Sequence, residues 1–241
     1  MSKTTKRAWR VVGGGVGAAA IVGLGHVAAT WFRYGRPAGR GDDSPTLLDT
    51  FLPTYEVRER HATRVAAPVA MTYAAAREMD LMQSPVVRTI FRGRELLMGA
   101  AEGEQGDPRP LVDTVLALGW GVLAQEHGRE IVFGAVTQPW LADVHFRALP
   151  PDEFAAFDAP GYAKIAWTIR TEPTGPTTSR FATETRVATT DADARKRFRR
   201  YWTMVSPGVR LIRRESLRLV RSAAERRYRT GAGTAIERVR G

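Results

Sequence analysis

The apolar residues of positions 191–229 recur in alternating steps of four and three, which is the spacing of one face of an α-helix. Only one small serine interrupts this stripe, whose members are Phe198, Trp202, Val205, Val209, Ile212, Ser216, Leu219 and Ala223. Asp191 stands at the expected N-cap. Ser206-Pro207-Gly208 should kink the helix without ending it, because the stripe keeps its phase beyond the proline. The pattern predicts one long amphipathic helix.

Apolar and polar residues alternate with a period of two in several segments before that helix, which predicts β-strands. The predicted strands are 55–65, 115–125, 130–138, 144–149, 162–171 and 180–189. The expected hairpin turns are His127-Gly128 and residues 173–178, and two shorter helices are expected at 69–79 and 85–98. This order favours an α+β fold, in which a curved antiparallel sheet wraps around the long C-terminal helix.

The same alternation places Glu59 and His61 on the inner face of the first strand, beside apolar neighbours. A carboxylate near an imidazole suits acid–base chemistry, so these two are the candidate catalytic residues. The alternative is a satisfied pair at the open end of the sheet, or an edge strand that faces water. The histidine spacing does not indicate a metal site, and no cofactor is expected.

A candidate ligand cavity follows from the inner faces of the last two strands and the final helix. Its lining would be mainly apolar with a few hydroxyls, as small-molecule sites tend to be. The alternative is that the same side chains simply fill a core. The candidate ligand-binding residues are Trp167, Ile169, Thr183, Thr185, Trp202, Val205 and Val209.

Residues 11–32 contain no Lys, Arg, Asp or Glu and are flanked by basic residues and by aromatic residues at both ends. A helix of this length would span about 33 Å, enough for a hydrocarbon core of roughly 30 Å. We therefore predict a single-pass membrane anchor, with its orientation left open because the flanking charge is nearly balanced. A cleaved signal peptide is one alternative. Gly13, Gly15 and Ala18 also imitate a dinucleotide fingerprint, but the required preceding strand and later acidic residue are missing.

The net charge of +11 is concentrated at the two ends of the chain. Residues 1–40 hold seven basic and no acidic residues, and residues 191–229 hold thirteen basic and four acidic ones. Such asymmetry favours an anionic surface as partner, and the predicted anchor favours lipid over nucleic acid, for which no recognition motif is visible. A solvated outer helix face is the alternative. The candidate membrane-surface residues are Arg210, Arg213, Arg214, Arg218 and Arg221.

Residues 65–73, Val-Ala-Ala-Pro-Val-Ala-Met-Thr-Tyr, run from the first strand through an Ala-Pro step into a helix with an aromatic residue. This segment and the final hairpin and helix resemble the helix-grip fold of the START and Bet v 1-like superfamily, which includes polyketide cyclases and lipid-transfer proteins. The family usually has an acidic residue just after that proline, where this chain has Val69 and Ala70. The resemblance implies a cavity for a hydrophobic ligand between sheet and helix.

The predicted organisation is a basic tail (1–10), the anchor (11–32), a mobile linker (33–54), a helix-grip domain (55–229) and a flexible tail (230–241). The leading hypothesis is a membrane-tethered domain that binds or shuttles a hydrophobic small molecule or lipid. One alternative is a cyclase- or dehydrase-type enzyme on the same fold. Another is a structural, membrane-associated module with a filled core. The chain has no Cys, which excludes thiolate catalysis and disulfides.

Overall fold

A computed structural model describes residues 29–32, 34–35, 46–90 and 109–240, with side chains described as far as residue 231. The helices are α1 (Leu48–Phe51), α2 (Val69–Glu78), α3 (Leu111–Ala117), α4 (Pro151–Ala156) and α5 (Ala192–Arg240). The strands are β1 (Val57–Val65), β2 (Gly121–Glu126), β3 (Glu130–Thr137), β4 (Ala163–Gly175) and β5 (Thr178–Thr189). A 3₁₀ turn (Leu81–Gln83) and a helical stretch at 85–90 follow α2.

The five strands form one antiparallel sheet in the order β1-β5-β4-β3-β2. The β2–β3 turn lies at His127-Gly128 as predicted, and Gly128 adopts a positive φ of 78° there. The β4–β5 hairpin is longer than predicted because the two strands keep pairing through a register shift at Pro173–Gly175. The sheet and its long C-terminal helix confirm the predicted α+β, helix-grip architecture.

Helix α5 lies across one face of the sheet. The Asp191 carboxylate accepts hydrogen bonds from the backbone N–H groups of Asp193 and Ala194, at 2.7 and 2.8 Å, which confirms the predicted N-cap. The helix continues through Pro207 and extends to Arg240, beyond the predicted end at residue 229. Single glycines in residues 230–240 lower helix propensity but do not by themselves end a helix.

The buried face of α5 follows the predicted stripe at first and then departs from it. Phe198, Trp202 and Ser216 are buried, but beyond Ser216 the fully buried side chains are Val220 and Ala224. The predicted Leu219 and Ala223 are only partly buried. An α-helix has 3.6 residues per turn, so a strict alternation of four and three drifts off the buried face along a long helix.

The opposite face of the sheet is covered as well. Leu48 of α1, Leu52 just after this helix, and Phe154 of α4 are buried against Val132 and Val136 of β3. The predicted linker therefore ends earlier than expected, because part of it folds onto the sheet. The segment Leu47-Leu48-Asp-Thr-Phe51-Leu52 forms this helix because its apolar residues, at i, i+3 and i+4, share one side.

One predicted strand begins later than expected, and another is wrong. The strand predicted at 115–125 begins only at Gly121, as β2. Residues 111–117 form α3, in which Leu111 and Val115 are buried one helical turn apart, and Gly119 at φ 92° ends that helix. Residues 144–149 make only the isolated bridge between Val136 and Arg147. The following Pro150-Pro151 begins α4, because a proline is well tolerated in the first turn of a helix.

The predicted anchor lies outside the described residues except for 29–32, which are helical, so the anchor stays a prediction. Residues 91–98 of the second short helix also lie outside them. None of the helices within the described ranges has the length and apolarity required to span a bilayer.

Candidate functional site

The carboxylate of Glu59 lies on the inner face of the sheet, beneath α5. Its Oε1 atom accepts hydrogen bonds from Nε and Nη2 of Arg210, at 3.1 and 2.9 Å. Its Oε2 atom lies 3.6 Å from Nε2 of His61. Thr185 and Thr183 are the β5 residues opposite Glu59 and His61, so the predicted inward orientation of this pair is correct.

Two opposing effects act on the ionisation of Glu59. Burial raises its pKa, but the interactions with His61 and Arg210 outweigh burial and hold the pKa below its usual value. The carboxylate is therefore ionised at neutral pH. A carboxylate with a lowered pKa is a weak general base near neutrality.

Arg213 points into the interior, contrary to its predicted place on a membrane-facing surface. Its Nη1 and Nη2 atoms donate to the hydroxyls of Thr183 and Thr185, at 3.2 and 2.6 Å. Its guanidinium carbon lies 5.1 Å from the centre of the Trp167 ring. Burial lowers the pKa of Arg213 to about 10, against the opposing effect of the negative charge of Glu59.

The strand register brings the residues under Arg213 together. Trp167 of β4 pairs with Thr185 of β5, and Ile169 pairs with Thr183. Alternation then places all four side chains on the face that meets α5. We call Glu59, His61, Thr183, Thr185, Trp167, Arg210 and Arg213 the inner polar cluster.

A small cavity adjoins Arg213. It is lined by Met79, Leu81, Leu111, Trp167, Ile169, Phe181, Thr183, Arg213 and Ser216. Its volume is about 20 Å³, which is space for about one water molecule. The lining is apolar except for the hydroxyls of Thr183 and Ser216 and the guanidinium of Arg213.

The structure divides the predicted ligand-binding residues into two groups. Trp167, Ile169 and Thr183 line the cavity, and Thr185 contacts Arg213. The other three, Trp202, Val205 and Val209, pack with Val57, Val187 and Phe198 in a separate apolar cluster. The reason is that α5 runs antiparallel to β5, so its first turns cover the end of that strand and its middle turns cover Thr183.

Six lining residues are not among the predicted ligand-binding residues: Met79, Leu81, Leu111, Phe181, Arg213 and Ser216. Arg213 follows Ile212 and lies three positions before Ser216, so it borders the apolar stripe. This position beside the stripe is the one sequence feature that distinguishes Arg213 from the arginines on the exposed side of α5. Met79, Leu81 and Leu111 belong to short elements or border them, and the packing of these elements has no periodic pattern.

The other predicted membrane-surface arginines have different environments. Arg210 is paired with Glu59, Arg218 with Glu215 at 2.7 Å, and Arg221 with Glu225 at 3.0 Å. Arg214 is exposed. Three of these charges are thus balanced locally, which leaves Arg214 as the one of the five that is both exposed and without an ion pair among the described residues.

Similar solved structures include a hypothetical protein from Helicobacter pylori, with 6% identity and a TM-score of 0.36, over 78% of this chain and 99% of that chain. Zhui aromatase/cyclase from a Streptomyces species is 13% identical, with a TM-score of 0.28 over 71% and 94%. Norcoclaurine synthase from Thalictrum flavum, in complex with dopamine and hydroxybenzaldehyde, is 12% identical, with a TM-score of 0.31 over 79% and 95%. No protein-family model and no curated protein matches the chain. Scores this low carry no argument about function, and the fold assignment rests on the sheet order and the final helix.

Proposed function

We propose that this chain is a membrane-tethered helix-grip domain that binds or shuttles a hydrophobic small molecule or lipid between its sheet and α5. The supporting observation is the cavity beside Arg213, whose apolar walls carry a few convergent polar groups. Its volume of about 20 Å³ is well below the roughly 300 Å³ of small-molecule sites, so a ligand enters only if the lining opens.

The short elements around the cavity are the parts most readily displaced. Met79 is the residue just after α2, Leu81 begins the 3₁₀ turn, and Leu111 begins the two-turn helix α3. Short helices contribute few hydrogen bonds of their own and depend on tertiary packing. Local opening in proteins is drawn from such elements of low stability. The sheet and α5 would stay in place while these elements move.

The environment of Glu59 favours binding over acid–base catalysis. The Glu59–His61 pair is the feature that suits a cyclase- or dehydrase-type enzyme. However, both hydrogen bonds from Arg210 go to the Glu59 carboxylate, and its pKa is lowered. A base with a pKa near the working pH is more effective than one held well below it.

A structural module with a filled core is the second candidate, and the small cavity volume is the observation that favours it. Native mass spectrometry of the full-length chain, purified from cells in mild detergent, separates the two candidates. We expect a non-covalent adduct, or uptake of a fluorescent fatty acid or phospholipid after delipidation. Finding neither would contradict ligand binding and leave the structural module.

A matched pair of variants localises the adduct. Ser216 is buried and lines the cavity, so Ser216→Leu should fill the available space and abolish the adduct. Ser222, on the same helix, does not line the cavity, so Ser222→Leu should retain it. Equal retention by both variants would place the ligand elsewhere.

The membrane tether is tested separately by extracting cell membranes with alkaline carbonate. We expect the full-length chain to stay in the membrane pellet, because the predicted helix of residues 11–32 is long enough to span the bilayer. A variant that lacks residues 1–28 should be released. Release of the full-length chain under the same conditions would show that the anchor prediction is wrong.

A further inference from the structure

The guanidinium of Arg213 lies in the interior with neutral hydrogen-bond partners. It donates to the hydroxyls of Thr183 and Thr185 and lies over the ring of Trp167. Arginine remains charged in proteins, and buried charges are normally paired with an opposite charge. Two hydroxyls and an aromatic face compensate only part of the lost hydration.

The nearest candidate counter-ion already has another partner. Glu59 receives two hydrogen bonds from Arg210 through one oxygen, and its second oxygen lies beside His61. Across the part of the chain that the structure describes, Arg213 has no ion pair of its own. One carboxylate therefore faces two guanidinium groups, and the inner polar cluster carries an excess of positive charge.

We infer that this interior site binds the oxyanion head of an amphipathic ligand, a carboxylate or a phosphate monoester, through Arg213. The guanidinium fork matches the geometry of both oxyanions. The two threonine hydroxyls accept from Arg213, so each retains its own O–H to donate to the same oxyanion. The apolar part of the ligand would extend past Met79, Leu81 and Leu111. This inference rests on the proposed function, because it names the ligand class of that site.

The test is isothermal titration calorimetry of the full-length, delipidated chain with three probes that share one alkyl chain: octanoate, octyl phosphate and 1-octanol. We expect both anions to bind more tightly than the alcohol. Arg213→Gln should weaken anion binding on the order of 10- to 100-fold, since a hydrogen bond to a charged group is worth that much, and leave the alcohol unchanged. The two anionic probes distinguish a carboxylate from a phosphate ligand.

Two further variants control for the loss of charge and for the geometry of the guanidinium. Arg214→Gln removes a neighbouring exposed charge and should bind both anions like the parent chain. Arg213→Lys keeps the charge without the planar fork and should lose only part of the affinity. In the absence of ligand, Arg213→Gln should unfold at the same or a higher temperature, because a partly compensated buried charge is removed. A purely structural arginine would instead lower the unfolding temperature.

The possible outcomes separate this inference from the proposed function. Equal binding of octanoate and octanol, unaffected by Arg213→Gln, overturns the anion site and leaves a hydrophobic ligand site. No binding of any probe overturns both. Loss of anion binding in Arg214→Gln as well as Arg213→Gln indicates a surface effect and also overturns the inference.

Discussion

The buried carboxylate of Glu184 is the clearest place to test how the sheet is stabilised. It lies on the face opposite α5, and its side chain is 3% exposed. Its oxygens accept from Nε and Nη2 of Arg58, at 2.9 and 3.0 Å, and from Nε of Arg186, at 2.7 Å. Both arginine side chains are nearly buried, at 9% and 4% exposed. Glu184→Gln keeps the shape and removes the negative charge.

The expected loss follows from removing the carboxylate that the two buried arginines share. Breaking a buried ion pair by neutralising one partner typically costs about 3–5 kcal/mol. Arg186 keeps its contacts with the Asp49 carboxylate and the Leu52 carbonyl, so part of its charge stays compensated. We therefore expect Glu184→Gln to lower the free energy of unfolding by about 3 kcal/mol, the lower end of that range.

Urea unfolding of the full-length chain, followed by far-ultraviolet circular dichroism, measures this change. Glu126→Gln is the matched control, because Glu126 pairs with Arg129 at 3.0 Å and both side chains are about half exposed. An exposed pair of this kind contributes about 1 kcal/mol or less. If the two variants lose the same stability, the outer face of the sheet does not depend on its buried charges, which would contradict this prediction.

Two further predictions concern a turn and a pH response. Gly119 has a φ of 92°, and a Cβ there would clash with the Phe146 carbonyl oxygen. Gly119→Ala should therefore destabilise far more than Gly128→Ala, where φ is 78° and the space is open. Gly128→Ala should cost only about 1–2 kcal/mol of backbone strain in urea unfolding, and equal losses would contradict the close contact at Gly119. The lowered pKa of Glu59 stabilises the fold above its unfolded value of 4.5, and this contribution is lost as the pH falls through the folded pKa. The stability difference between the parent chain and Glu59→Gln in thermal melts from pH 7 to 3 should therefore shrink on acidification, and a constant difference would exclude a charge effect.

Much of the inner face was predictable from the sequence. A period of two fixes which face each strand residue occupies once one inward residue is known. Trp167, Ile169, Thr183 and Thr185 were assigned correctly to one face for this reason. The final helix was equally clear, because its stripe is long and Asp191 marks its start.

The direction of Arg213 was not predictable. It depends on how α5 is rotated on the sheet, and a residue at the border of an apolar stripe can face either way. Long charged side chains also bend toward whichever partners are near. The hydroxyls of Thr183 and Thr185 lie within its reach only because of the β5 register under the helix.

The covering of the outer face of the sheet was not predicted, for a different reason. Polar residues alternating with apolar ones normally indicate a solvated face in an antiparallel sheet. Here α1 and α4 cover that face, and Glu184 and Arg186 are buried in an ion-pair network. The start of the strand predicted at 115–125 is equally ambiguous, since periodicity alone does not separate a buried strand from a short helix.

A crystal structure of the full-length chain grown with octanoate would show directly whether Arg213 binds the ligand's oxyanion. We expect the carboxylate to lie within hydrogen-bonding distance of the Arg213 guanidinium, with the alkyl chain among Met79, Leu81 and Leu111 and those short elements displaced. An octanoate bound only on the outer surface, with Arg213 still bonded to Thr183 and Thr185 over an unchanged cavity, would contradict it.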